Sequence, residues 1–126
     1  MNPIVTMRRS HTAWNIMQNP SSIIIQRKGQ IRENGKIVNI NETLEPQIVR
    51  IYAVGGSENR MVETIGERQI DRYYRLLASW DADIQASTEL KDTFYHDGQK
   101  YEVKLVNNKS IHGCKVGKQV LIERVI

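Results

Sequence analysis

The chain is short of several things, and each shortage excludes something. It has one cysteine, Cys114, in 126 residues, which rules out an intrachain disulfide framework and a cysteine-rich zinc site. Three prolines and a single Phe accompany an aromatic content of 6%, so the core must rest on Ile, Val and Leu. No run of about 18 apolar residues is present to span a bilayer. Arg8 and Arg9 are followed by His11, Asn15 and Gln18, not by the apolar stretch of a secretory signal. The expectation is a cytoplasmic chain in a reducing compartment, with no membrane partner. No repeat or low-complexity segment is visible.

What is present suits one globular domain. The length supports one modest core, and 40% hydrophobic with 25% charged residues is ordinary composition. The net charge of +4 tilts toward an acidic partner. Lys and Arg nevertheless alternate with acids along most of the chain, whereas a nucleic-acid footprint clusters its cations on one face.

Residues 2–18 predict a helix within an N-terminal segment 1–20. Asn2 can cap it, Pro3 occupies the first position, where its missing N–H costs nothing, and Asn19-Pro20 ends it. Ile4, Met7, Ala13, Trp14 and Met17 form a partial apolar stripe to pack on the rest of the fold or on a neighbour.

From Ser22 the period becomes two. Ser22–Lys28, extended past Gly29 by Ile31–Glu33, reads as a strand, and Asn34-Gly35 is a hairpin signal that pairs Glu33 with Lys36 and Ile31 with Val38. Gln47–Val54 places Val49, Ile51 and Ala53 on one face and Ile48, Tyr52 and Val54 on the other. Strands are also predicted at Arg72–Ala78, Thr93–His96, Gln99–Val106 and Gln119–Val125. Asp97-Gly98 sets Phe94 opposite Tyr101 and Tyr95 opposite Lys100. Tyr101, Val103 and Leu105 read as one apolar face, and Val120, Ile122 and Ile126 as another. The expected fold over 21–126 is mainly β, a small antiparallel barrel of about six strands. One long connection interrupts it, residues 55–71, with Gly55, Gly56, Glu58, Arg60, Glu63, Glu67 and Arg68; a loop of that length is solvated and mobile or orders on a partner.

Four constellations invite chemistry. Asp92 with Glu102-Val103-Lys104 has the acid and Glu-x-Lys spacing of restriction-type nucleases, in which two carboxylates hold a divalent metal and the lysine helps activate water. That fold needs flanking helices, and none is predicted after residue 18. Asp81-Ala82-Asp83 has the Asp-x-Asp form of a metal pair but lacks a nucleotide-binding unit, and paired acids in a loop are turn formers. Gly113 to Gln119 fails as a phosphate loop: three residues separate its glycines, and Gln119 stands where Ser or Thr must reach the metal. His11, His96 and His112 have no metal-ligand spacing, and Cys114 with His112 makes no nucleophile–base pair. No catalytic, metal or cofactor site is expected. Arg8, Arg9, Arg27, Lys28, Arg32 and Lys36 bias the first third toward positive charge. With Tyr73 and Tyr74 between Arg72 and Arg75, they leave a nucleic-acid-binding barrel as an alternative to the nuclease.

Arg72-Tyr-Tyr-Arg-Leu-Leu-Ala-Ser-Trp-Asp-Ala-Asp-Ile84, followed by Asp97-Gly-Gln-Lys-Tyr-Glu-Val-Lys-Leu-Val106, resembles the head-closure (head-tail adaptor) proteins of tailed phages. The resemblance covers a quarter to a third of the chain and rests on turn and core residues. It implies a non-enzymatic structural protein of the phage or prophage particle. Such a subunit is a monomer in isolation and a homo-oligomeric ring between portal or adaptor and tail proteins. It further implies that residues 55–71 form an assembly or channel loop, with non-specific DNA contact in the channel.

Overall fold

The computed structural model describes residues 2–53 and 73–125; the predicted loop 55–71, together with Val54, Arg72 and Ile126, lies outside them. One helix and eight strands follow in order: α1 Pro3–Gln18, β1 Ser21–Ile23, β2 Gln26–Glu33, β3 Lys36–Thr43, β4 Gln47–Ala53, β5 Tyr73–Ala78, β6 Leu90–His96, β7 Gln99–Ile111 and β8 Cys114–Val125.

The strands form one antiparallel sheet in the order β1-β4-β5-β8-β7-β6-β2-β3. The fold is thus mainly β with an N-terminal helix, but the sheet is an eight-stranded open half-barrel, not a closed barrel of six. The reason lies at Ile24-Ile25. These two residues separate β1, on one edge, from β2, near the other. The covalent chain crosses there, and the ladder does not.

The half-barrel wraps one core. Ile23, Val49, Leu76, Ala78, Phe94, Tyr101, Val103, Val120 and Ile122 pack together, although their strands span the sheet from β1 to β6. Side chains from one face meet in this way only if the sheet curls into a trough. Tyr101 lies between Phe94, stacked at 5.6 Å, and Tyr74, edge-on at 5.6 Å, an arrangement that favours aromatic quadrupoles.

Three two-residue turns set the registers. Asn34-Gly35, Asp97-Gly98 and His112-Gly113 all have positive φ, at 52°/76°, 50°/75° and 51°/75°, as the hairpin turn matching strand twist requires. The first two give the predicted pairings Glu33–Lys36, Ile31–Val38, Phe94–Tyr101 and Tyr95–Lys100. The third corrects the expected loop after Val106: β7 and β8 run on to a tight turn there, with Ile111 paired to Cys114. Gly113 belongs to this turn and Gly117 to β8, so the sequence that resembled a phosphate loop is hairpin.

A register shift between Val103 and Leu105 corrects one face. The extra residue of a bulge turns the side chains after it, so Val103 is buried while Leu105 is 57% exposed.

The helix packs outside the trough, over the row Arg50–Leu77–Gln119 that the registers place side by side. Asn2 Oδ1 accepts from Ile4 N–H at 2.9 Å, capping it as predicted. The face in contact is not the predicted one. Val5 and Ile16 are buried, whereas Ile4, Met7, Trp14 and Met17 are 41, 50, 66 and 62% exposed. At 100° per residue these two sets lie on opposite sides of the helix.

Candidate functional site

The nuclease-like residues do not converge. Thr93 pairs with Glu102 across β6 and β7, so both point to the outer face. Asp92, one residue away, points into the trough beside Phe94 and is fully buried. The two carboxylates therefore stand on opposite sides of the sheet. Each already has partners. Arg27 Nε and Nη2 donate to the two Asp92 oxygens at 2.8 and 2.9 Å, and Gln85 N–H donates to Oδ2 at 2.7 Å. Outside, Lys91 Nζ and Lys104 Nζ lie 3.1 and 3.2 Å from Glu102 Oε1, and Lys104 reaches Glu123 at 3.9 Å. Burial opposes ionisation of Glu102, but the hydrogen bonds from both lysines outweigh it and hold the carboxyl below its ordinary pKa.

Asp81 and Asp83 are also divided. Asp81 accepts from Ser79 Oγ at 2.6 Å within a turn that Ala82 N–H closes onto Ser79 C=O. Asp83 accepts from Arg27 Nη2 at 2.9 Å, and its backbone N–H and C=O are both bonded to the Gln47 amide at 3.0 Å. Between these anchors Ile84 enters the core, flanked by Ala82 and Ala86. The segment 79–89 is thus a strap tied to β2 through Arg27, to β4 through Gln47 and to β6 through Asp92. The hydrogen bonds to Asp92, first in size, hold the Arg27 guanidinium protonated above its ordinary range against the cost of burial.

The histidines stay apart in the elements that carry them: His11 on α1, His96 at the end of β6, 3.3 Å from Asp97, and His112 in the β7–β8 turn. Among the described residues no three His, Cys, Asp or Glu side chains gather to hold a metal. Among the described residues, two unclaimed surface features lie instead around α1. One is the outward stripe Ile4, Met7, Trp14 and Met17. The other is a groove of about 420 Å³ between α1 and the β7–β8 hairpin, lined among others by Arg8, His11, Lys109, Ser110 and Gly117. Arg9 fastens the helix beside it, with Nε 2.9 Å from Lys115 C=O and the guanidinium 3.7 Å above the Trp80 ring.

Sequence reasoning found the stripe and left open whether it packs on the fold or on a neighbour; it missed the groove, because it did not know which helix face the sheet would take. No protein-family model matches the chain, and no curated protein matches it in sequence. Among the described residues no helix is long and apolar enough to cross a membrane.

Proposed function

We propose that this chain is a structural subunit of a phage or phage-like particle, a head-tail joining protein that assembles as a ring between portal and tail. The observation that carries this reading is the outer face of α1. Ile4, Met7, Trp14 and Met17 are exposed together on the side away from the sheet. Several adjacent large apolar side chains on one helix face favour burial against another protein. Trp and Met are also residue types enriched in interface cores. Residues 79–84 of the strap, which form the end of the first segment resembling head-closure proteins, spend Asp81 and Asp83 on holding the fold, as a structural subunit requires. In the particle the chain contacts its own copies and the portal-side and tail-side proteins.

The test is genetic and structural together. Loss of the gene from the producing phage or prophage is expected to leave filled heads and free tails unjoined. Wild-type chain supplied in trans restores joining. Trp14→Ser with Met17→Ser, which leaves the buried face of α1 intact, folds but does not enter particles. Magnesium-dependent DNA cleavage abolished by Glu102→Ala, or normal particles without the gene, would overturn the reading.

A further inference from the structure

Two long stretches of this chain contain no acid: residues 1–32, before Glu33, and residues 103–122, between Glu102 and Glu123. They are far apart in sequence, yet the fold brings them together. Arg9 of α1 donates to the backbone of Lys115 on β8. Gly117 lets the helix approach so closely that a Cβ there would lie 3.0 Å from Thr12 Cγ2. Arg8 and His11 from the helix and Lys109 from β7 then line one groove. Lys115 continues the same hairpin beside them, so three cations collect at this pole; Lys118, paired with the core residue Ala78 and two residues before core Val120, faces the trough instead.

Among the described residues no carboxylate forms an ion pair with Arg8, Lys109, Lys115 or Lys118. The two nearest acidic influences, Asp81 and Asp83 on Lys118, are already engaged by Ser79 and Arg27. Burial first, and then the neighbouring Lys115, hold the Lys118 ammonium below its ordinary pKa on the trough side. Between the cations the groove presents the neutral polar side chains of Asn15, Ser110 and Gln119.

We infer that this pole, α1 with the β7–β8 hairpin, binds the phosphate backbone of duplex nucleic acid without reading its sequence. A duplex carries about one negative charge per 1.7 Å of axis, and cations that contact it release condensed counterions. Arg, Lys and Ser, Thr, Asn or Gln side chains are the usual partners of phosphate oxygens. No Phe, Tyr or Trp lines this groove, whose lining is mostly cationic and neutral polar, which suits a phosphate backbone better than stacked bases. The inference goes beyond the ring reading and does not depend on it, since one chain carries the whole surface.

The experiment is fluorescence anisotropy of a labelled 30-base-pair duplex with the full chain across a salt series. If the three fixed cations Arg8, Lys109 and Lys115 all contact phosphates, the log–log salt slope is about −2.7. Lys109→Ala with Lys115→Ala is expected to bring the slope to about −0.9 and weaken binding at 0.1 M salt by about 60-fold. Both side chains are exposed, and circular dichroism checks that the fold is kept. Lys28→Ala with Lys36→Ala removes the same charge from the β2–β3 hairpin and is expected to change affinity by less than about threefold. Equal losses in the two double variants would reduce the effect to bulk charge and overturn the inference. So would absent binding, or polyglutamate of matched charge displacing the duplex at equal concentration, which would make the pole a site for acidic protein. Failure of head-tail joining in Trp14→Ser with Met17→Ser, alongside normal duplex binding, keeps the two readings separable.

Discussion

Inside the trough Arg27 meets Asp92 side-on, Nε to Oδ1 at 2.8 Å and Nη2 to Oδ2 at 2.9 Å. Arg27 is 6% exposed and Asp92 not at all. The pair joins β2 to β6, and through Asp83 and Gln85 it fixes the strap that lies across the open sheet. A bidentate geometry with further donors offsets the desolvation of both charges.

Removing one member should therefore cost much more than removing both. Asp92→Ala leaves a buried, uncompensated cation, and about 3–5 kcal/mol of stability is expected to go in urea unfolding. Arg27→Met combined with Asp92→Leu fills similar volume without charge and is expected to recover most of that loss. If the double variant is as unstable as Asp92→Ala alone, the ion pair is not what holds the strap.

Glu102 gives a pH dependence whose sign follows from its lysines. Its folded-state pKa is depressed, so the unfolded chain binds this proton more readily than the folded one. The stabilisation is complete above the unfolded carboxyl pKa, about 4.3, and is lost as the pH falls through the lower folded value. Glu123 is its cross-strand neighbour and repels it, and Lys91 and Lys104 are 63 and 39% exposed, so the net effect is small. Glu102→Gln is expected to lose about 0.5–1 kcal/mol at pH 7. The gap to wild type should close below about pH 4. A gap still open at pH 3 would assign the loss to packing.

Much of this fold can be read from phase and turns. Asn34-Gly35 and Asp97-Gly98 set their hairpins to the residue, because the turn leaves one register. Arg27, grouped by the sequence with the cations of the first third, instead shares the inward phase of Ile23 and Ile25 and pairs with Asp92 in the core, a partnership the sequence reading did not make. What escaped depended on local defects and tertiary choice. His112-Gly113 is a turn with a residue seldom used there, since His tolerates positive φ less readily than Asn or Gly. The bulge at Lys104 reversed Leu105, and nothing in an unbroken alternation announces one extra residue. The open sheet follows from a two-residue crossing at Ile24-Ile25 inside what reads as one continuous strand. On α1 both faces carry apolar residues, so periodicity alone could not choose between Val5 with Ile16 and Met7 with Trp14. The acid-free segments were visible in the sequence, but only their contact across the fold turns them into one surface.

The choice of face on α1 rests on Gly117, and its substitution has a sign that separates two accounts. A glycine within a strand costs about 0.5–1 kcal/mol relative to alanine, so Gly117→Ala should stabilise β8 if the helix did not press on it. The helix does press: the new Cβ would sit 3.0 Å from Thr12 Cγ2 and 3.2 Å from Thr12 Oγ1. Overpacking of this kind costs about 1–3 kcal/mol. Gly117→Ala is therefore expected to destabilise, to raise amide exchange along α1 and to shift Trp80 fluorescence as Arg9 leaves its ring. Thr12→Ala deletes both crowded atoms. In that background Gly117→Ala should become neutral or stabilising, a coupling of about 1–2 kcal/mol in the double-mutant cycle. Additive effects of the two changes would mean that the helix does not rest on β8 at this point.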